Sequence, residues 1–351
     1  MSRNPLGAMT QIDLFAGLET DGVSSVAPST GAEPTERRPA RPRLVTPQLS
    51  DDEMAHRLEA TGRYRILRQL QPRPIRGVGT ADTAPIAHPV PAVRDGERIG
   101  LILDTETTGL DHGSHEIIEL GMVAFTYDEA GIRDVIGTFS ALREPGVPIS
   151  AEITRITGIT AEMVAGQRID LVAVAHFAEP ADLVIAHNAR FDRPFVERFA
   201  PGFDAKPWAC SVAEIDWTAL GFEGSKLGYL VGQCRRFHNG HRAVDDCHAL
   251  LEVLAHRSRT DAPDPFLQLV ASAARTRLRL YAIGSPFHTK DILKARGYRW
   301  SDGTDGRPKC WWREIEEDAH DEEAAFLERE IYAGENPAHV IRLTACDRFK
   351  A

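Results

Sequence analysis

The chain has 351 residues, 42% of them hydrophobic and 26% charged, with a formal net charge of −10 at pH 7. That length suggests two domains plus tails, and the composition is that of an ordinary soluble protein. No run approaches the ~18 apolar residues of a membrane-spanning helix, and the N-terminus lacks the charged-then-apolar layout of a secretion signal, so no membrane partner and a cytoplasmic location are expected.

The negative total hides segregation. Residues 36–76 carry ten arginines against five acids, and residues 275–313 carry ten Lys/Arg against three acids. Residues 314–330 hold nine acids and one arginine. A phosphate-binding protein usually leaves a basic footprint, and here that footprint lies outside the central third. Cys210, Cys234, Cys247, Cys310 and Cys346 are scattered, odd in number and never spaced CxxC, so they are expected to be reduced and structural.

In chain order, residues 1–50 are rich in Pro, Ser, Thr, Gly and Ala, lack apolar periodicity, and are expected to be disordered. Residues 51–96 follow as a short helix–strand element and linker. DDEMAHRLEATG has an acidic start and a glycine stop, and YRILRQL alternates like a strand. From Ile99 the texture changes: GLILD reads as a short buried strand, followed by two more strands in HEIIELGMVAFTYD and RDVIGTFSALRE. Helical pattern then dominates 150–179, with Thr160 as a cap. DLVIAHN is another strand, and FDRPFVERFA, SVAEIDWTAL, KLGYLVGQC and AVDDCHALLEVLAHR read as helices. Strands in a meander followed by alternating helices and strands indicate an α/β, mixed-sheet domain over 97–258. Residues 259–351 predict a small α+β domain: strand RLRLYAI, helix PFHTKDILKARG, a hairpin from YRW to CWWRE, an acidic helix and a last strand HVIRL.

Three acidic motifs carry the chemistry. DTETTG (104–109) follows the GLILD strand, and residues two apart on a strand share a face, so Asp104 and Glu106 project together while Thr105 points the other way. Two crowded carboxylates call for a cation, and oxygen-only ligands suit Mg²⁺ or Mn²⁺; the plain alternative is a solvated acidic pair. AHNARFD (186–192) places Asp192 at a helix entry, where the plain reading is a cap. HRAVDDC (241–247) pairs His241 with two candidate ligands, Asp245 and Asp246, between which spacing does not choose.

Taken in order, DTETTG, HNARFD and HRAVDD resemble the DEDDh 3′→5′ exonucleases, most closely the proofreading epsilon subunit of bacterial DNA polymerase III and its stand-alone relatives. The resemblance covers roughly 97–256 and includes TGIT at 157–160. It implies an RNase H-like fold, with a mixed β-sheet flanked by helices. It also implies two divalent metal ions (Mg²⁺ or Mn²⁺) held by Asp104, Glu106, Asp192 and Asp246, the family offset from the histidine selecting Asp246 over Asp245. His241 would be the general base, and the product a nucleoside 5′-monophosphate. Thr107, Thr108, Gly109 and Leu110 would line the terminal nucleotide's site, with His187 and Asn188 supporting the metal site. The implied substrate is DNA with a free 3′ end, in replication or repair. An RNA-directed relative resembling RNase T or oligoribonuclease would use the same chemistry, and a non-catalytic scaffold would not need all five catalytic positions.

Two features of the flanks stand apart. QIDLF (11–15) resembles the peptide by which bacterial replication proteins dock on the β sliding clamp, with Leu14 and Phe15 filling a pocket and Gln11 offering an amide; on a tether it would raise the local concentration of the enzyme. Near the C-terminus, Lys290, Lys294, Arg296, Arg299, Lys309 and Arg313 accompany Trp300, Trp311 and Trp312. Cations with aromatic faces suit single-stranded nucleic acid, whereas the plain alternative makes the tryptophans the core of a small domain. The sequence does not indicate an oligomeric state.

Overall fold

The structure, a computed structural model, describes residues 49–77, 93–257, 264–304, 306–334 and 337–350. The clamp-like peptide with Gln11, Leu14 and Phe15 lies outside the described residues, as does nearly all of the expected tail and most of the expected linker. By contacts the chain divides into Met1–Met54 and Ala55–Ala351. Of the first unit, the described part is the start of helix α1 (Asp51–Ala60). Ser50 and Glu53 cap that start reciprocally: the Ser50 amide donates to Glu53 Oε2 at 2.9 Å and the Glu53 amide to Ser50 Oγ at 3.3 Å.

The second unit is built on five strands: β1 (Arg98–Thr107), β2 (Ile117–Asp128), β3 (Gly131–Leu142), β4 (Leu183–Ala186) and β5 (Trp208–Cys210). Their order is β3-β2-β1-β4-β5. β2 runs antiparallel to β1 and β3, while β1, β4 and β5 are mutually parallel. One reversed strand beside a parallel set, with helices on both faces, is the RNase H-like arrangement. The near-continuous apolar runs are explained by burial on both faces.

One face carries Ile102, Val123 and Phe125 against α6 (Ala243–Leu254) and α7 (Pro265–Ala274). The other carries Leu101, Leu103 and Met122 against α3 (Leu171–Ala178) and α4 (Ala189–Phe199). The chain adds α2 (Ala151–Thr157) before α3, and α5 (Leu227–Gln233) between α4 and α6. Two expected elements are shorter than their patterns. YRILRQL yields only the pair Arg68–Gln69, because its partner Arg236–Phe237 offers two residues. SVAEIDWTAL is helical only over Ser211–Glu214; Trp217 Nε1 takes the Ser211 carbonyl at 2.8 Å, and Asp216 turns the chain by accepting from the Ala219 amide.

Strands β6 (Arg277–Ala282), β7 (Arg299–Trp300), β8 (Trp311–Glu316) and β9 (His339–Leu343) form an antiparallel sheet in the order β9-β6-β8-β7. Leu278, Leu280, Ile315, Leu293 of α8 (Lys290–Ala295) and Phe326 of α9 (His320–Phe326) make its core. The chain then returns to the first sheet. Phe349 packs with Leu101 and Trp208, and fully buried Arg193 of α4 donates to the carbonyls of Cys346 at 2.7 Å and Arg348 at 2.6 Å.

Candidate active site

Strand β1 ends where the sheet opens, and its alternation decides what each face receives. Ile102, Asp104 and Glu106 lie on the α6 side, and Thr105 on the α4 side. Asp104, Glu106 and Asp246 each offer a carboxylate oxygen, and these atoms lie within 4.8 Å of one another. Of the two adjacent aspartates in α6, Asp246 is the one that joins Asp104 and Glu106. Asp104 stands opposite Gly121 on β2, and a Cβ on Gly121 would collide with the backbone of Ala243 and Val244. A glycine at that register position therefore lets the start of α6 sit directly on the sheet.

Asp192 comes from the other face. The plain reading of Asp192 as a helix cap does not describe it: α4 begins at Ala189 after Asn188, so Asp192 lies inside the first turn and is buried. There Thr105 holds it, donating to Asp192 Oδ1 from its amide at 3.0 Å and its hydroxyl at 2.8 Å. Thr105, which points away from Asp104 and Glu106, thus ties the fourth carboxylate to the same strand.

Three of these groups carry the signature of charge crowded into a buried place. Burial pushes Asp104 well above the carboxylate range, with Asp192, Asp246, Glu106 and Glu119 adding to the shift. Glu106 is raised to about 8, first by burial, then by Asp246, Glu119 and Asp192. Asp192 is raised to about 7 by burial, against the two hydrogen bonds from Thr105. Arg242, the cation that eases Glu106, is committed elsewhere: it grips fully buried Glu119 at 2.9 Å. A donor set made only of carboxylate oxygens, buried and mutually repelling, fits hard divalent cations.

His241 is exposed, and its backbone is left-handed at φ 64°, an uncommon state for a non-glycine residue. Its amide donates to Asp246 Oδ2 at 2.8 Å, while His238 Nε2 lies 2.7 Å from Asp246 Oδ1. Glu119 accepts from the Ala243 amide at 3.1 Å and so fixes the other end of the same loop. Neither His238 nor Glu119 is singled out by motif spacing. Glu119 did leave a signal, a charged residue inside the apolar run IIELGMV.

The remaining expected residues fall around this centre. Thr107 Oγ1 donates to the Gly109 carbonyl at 2.6 Å, and Thr108 Oγ1 accepts from the Glu116 amide at 3.0 Å, which folds the segment after β1 into a tight loop. Gly109 packs on His115, whose ring a Cβ there would strike. Leu110 projects from the loop 84% exposed, an apolar side chain with no core to serve. His187 Nδ1 lies 2.8 Å from Ser211 Oγ, and burial lowers the His187 pKa to about 4, against Ser225 and Asp246. Asn188 is exposed and left-handed at φ 78°, forming the corner between β4 and α4.

Comparison with known proteins adds the following. The family model described as "Exonuclease" matches residues 101–254. The DNA polymerase III subunit epsilon of Treponema pallidum is 31% identical over 169 residues, covering 44% of this chain and 76% of that protein. The PolC-type DNA polymerase III of Clostridium perfringens is 31% identical over 166 residues, a match that takes in 44% of this chain but only 11% of the polymerase. Among solved structures, Exonuclease X in complex with 5′ overhanging duplex DNA aligns at 24% identity and a TM-score of 0.36, covering 49% of this chain and 98% of that one.

Proposed function

We propose, for a chain that belongs to the exonuclease family of the DNA polymerase III epsilon subunit, a metal-dependent removal of nucleotides one at a time from the 3′ end of DNA. The observation that carries this reading is the convergence of Asp104, Glu106 and Asp246 within 4.8 Å, with Asp192 held beside them by Thr105. Asp104, Glu106, Asp192 and Asp246 would hold two divalent ions, Mg²⁺ or Mn²⁺. When bound, such ions neutralise phosphate charge and make water acidic enough to attack near neutral pH.

The chain's own groups do the rest. His241 serves as general base, exposed in the loop whose amide bonds Asp246 and so open to exchange a proton with solvent. Its left-handed backbone and its amide bond to Asp246 keep His241 in the loop beside that carboxylate. Thr107, Thr108, Gly109 and Leu110 form the wall for the terminal nucleotide, with Leu110 offering the base an apolar face. His187, kept neutral by burial and bonded to Ser211, supports the metal site from below together with Asn188. The leaving product is a nucleoside 5′-monophosphate.

DNA is favoured as substrate by the replication relatives, and a role in replication or repair follows from the same likeness. Gln11, Leu14 and Phe15 would dock on a bacterial β sliding clamp, residues 97–258 would form the nuclease and 259–351 the accessory domain, and the cytoplasm would be the place of action. An RNA-directed reading shares every catalytic residue. Digestion of matched 3′-labelled DNA and RNA strands, with Mg²⁺ or Mn²⁺ and with chelator, tests the proposal. Faster metal-dependent release from DNA is expected. Preference for RNA would move the chain to the exoribonucleases, and no release from either would leave a non-catalytic scaffold.

A further inference from the structure

The loop that carries His241 grips Asp246 at both oxygens, and one of the two grips lies outside every sequence motif. His238 Nε2 lies 2.7 Å from Asp246 Oδ1, and the His241 amide donates to Oδ2 at 2.8 Å. Each end of the stretch 238–241 thus holds one oxygen of the same carboxylate. An ionised carboxylate has about four lone-pair sites, so about half of them stay open to a cation. The bond does not depend on one charge state of the ring, because Nε2–H donates from the neutral tautomer protonated there and from the imidazolium alike.

His238 is held in place from a part of the chain that precedes β1. Its side chain is only 8% exposed. Residues 69–72 and His238 line one small cavity of about 140 Å³, together with Asp245 and His248 of α6. The imidazole therefore sits where this early segment meets the helix of Asp246. The segment is itself tied down. The Leu70 amide donates to the carbonyl of Phe237, the residue before His238, at 2.8 Å. Leu70 is buried in the core that also takes in Leu250 and Leu251 of α6, and Arg73 makes a two-pronged pair with Glu252 of the same helix. The backbone from which His238 projects is thus fixed on one side, and its ring meets Asp246 on the other.

We propose that His238 is a positioning residue of the metal site. Its Nε2–H sets the plane of the Asp246 carboxylate, so that the free lone pairs face the cation shared with Asp104 and Glu106. Through the same loop it couples the seating of that ligand to the placement of His241. A partner that orients a ligating side chain in this way governs affinity for the metal without touching substrate.

The coupling to His241 rests on the nuclease reading, whereas the effect on cation binding does not, and the test separates the two. Mn²⁺ binding to the full chain is followed without substrate by the electron paramagnetic resonance signal of the free ion, and strand release is measured apart from it. His238→Ala is expected to bind Mn²⁺ more weakly by roughly 10- to 100-fold, the usual loss for such a partner. Its KM for a DNA single strand at saturating Mn²⁺ stays at the wild-type level. Should His238→Ala melt early, His238→Phe, which refills the space without a donor, reads the same loss. His238→Gln keeps a side-chain N–H and is expected to restore most of the affinity. Wild-type Mn²⁺ affinity in the alanine or phenylalanine variant would overturn the role, and so would an equal loss in His238→Gln. Weakened Mn²⁺ binding in the variants, with no strand release by the wild type, would keep the positioning role and reject the nuclease. A wild type that binds no Mn²⁺ would reject both.

Discussion

Asp104, Glu106 and Asp192 sit in a place that prefers them protonated, and this makes the site's cation demand measurable through stability. Glu106 at about 8 and Asp192 at about 7 stand above their unfolded values of roughly 4. Between those limits the folded chain binds more protons than the unfolded one, so stability falls as pH rises from about 5 to 8.5. Divalent cations that take the place of the protons remove the penalty at the alkaline end. Thermal melts in chelator should therefore decline across that window, and Mg²⁺ or Mn²⁺ should raise the melting temperature more at pH 8.5 than at pH 5. A pH-flat melt, unmoved by either ion, would contradict the picture of a crowded carboxylate site.

The same scale shows what could be read from the sequence. The acids could be picked out because a strand's alternation and fixed offsets place them, and Asp246, not Asp245, is the one whose carboxylate lies with those of Asp104 and Glu106. Thr105 and His238 could not, and Glu119 showed only as a charge inside an apolar run, because their work is done across the fold: they bond to partners 87, 8 and 124 residues away. No local pattern records such a pairing.

At the scale of elements, the site depends on how closely α6 approaches β2. Gly121 permits that approach, and Gly121→Ala would force the helix start off the sheet and carry Asp246 away from Asp104. Overpacking of this kind costs about 1–3 kcal/mol, and a displacement near 1 Å at a reacting centre costs on the order of 100-fold in rate. The expected outcome is a folded protein with kcat for strand digestion reduced by more than tenfold; unchanged kcat would mean that the helix is not seated by this glycine. The meander and most helices were legible from hydrophobic period. The short pieces were not: Arg68–Gln69 pairs over two residues because its partner is brief, and Ser211–Glu214 stops because Trp217 and Asp216 turn the chain.

For the molecule as a whole, the last residues are part of the nuclease's packing. Arg348 and Glu214 form a pair at 2.5 Å with side chains 1% and 0% exposed, and Arg348 also donates to the Ala273 carbonyl at 2.7 Å at the end of α7. Removing one partner of such a pair strands a buried charge, at a cost of roughly 3–5 kcal/mol. Arg348→Ala is expected to lower the denaturant midpoint accordingly, whereas a loss below ~1 kcal/mol would show the tail to be dispensable. The expected break after residue 258 falls just before α7, whose Phe266 and Leu269 pack with Phe125 of the central sheet. That break follows the end of the helix–strand pattern, which does not report on packing.

The central claim is that the four carboxylates act together on the terminal phosphodiester, and release of labelled nucleotide from a 3′-end-labelled DNA strand in Mg²⁺ tests it most directly. The wild type should liberate 5′-mononucleotide until chelator is added, and Asp104→Ala, folded by its circular dichroism, should liberate none above background. Release by Asp104→Ala at the wild-type rate would contradict it.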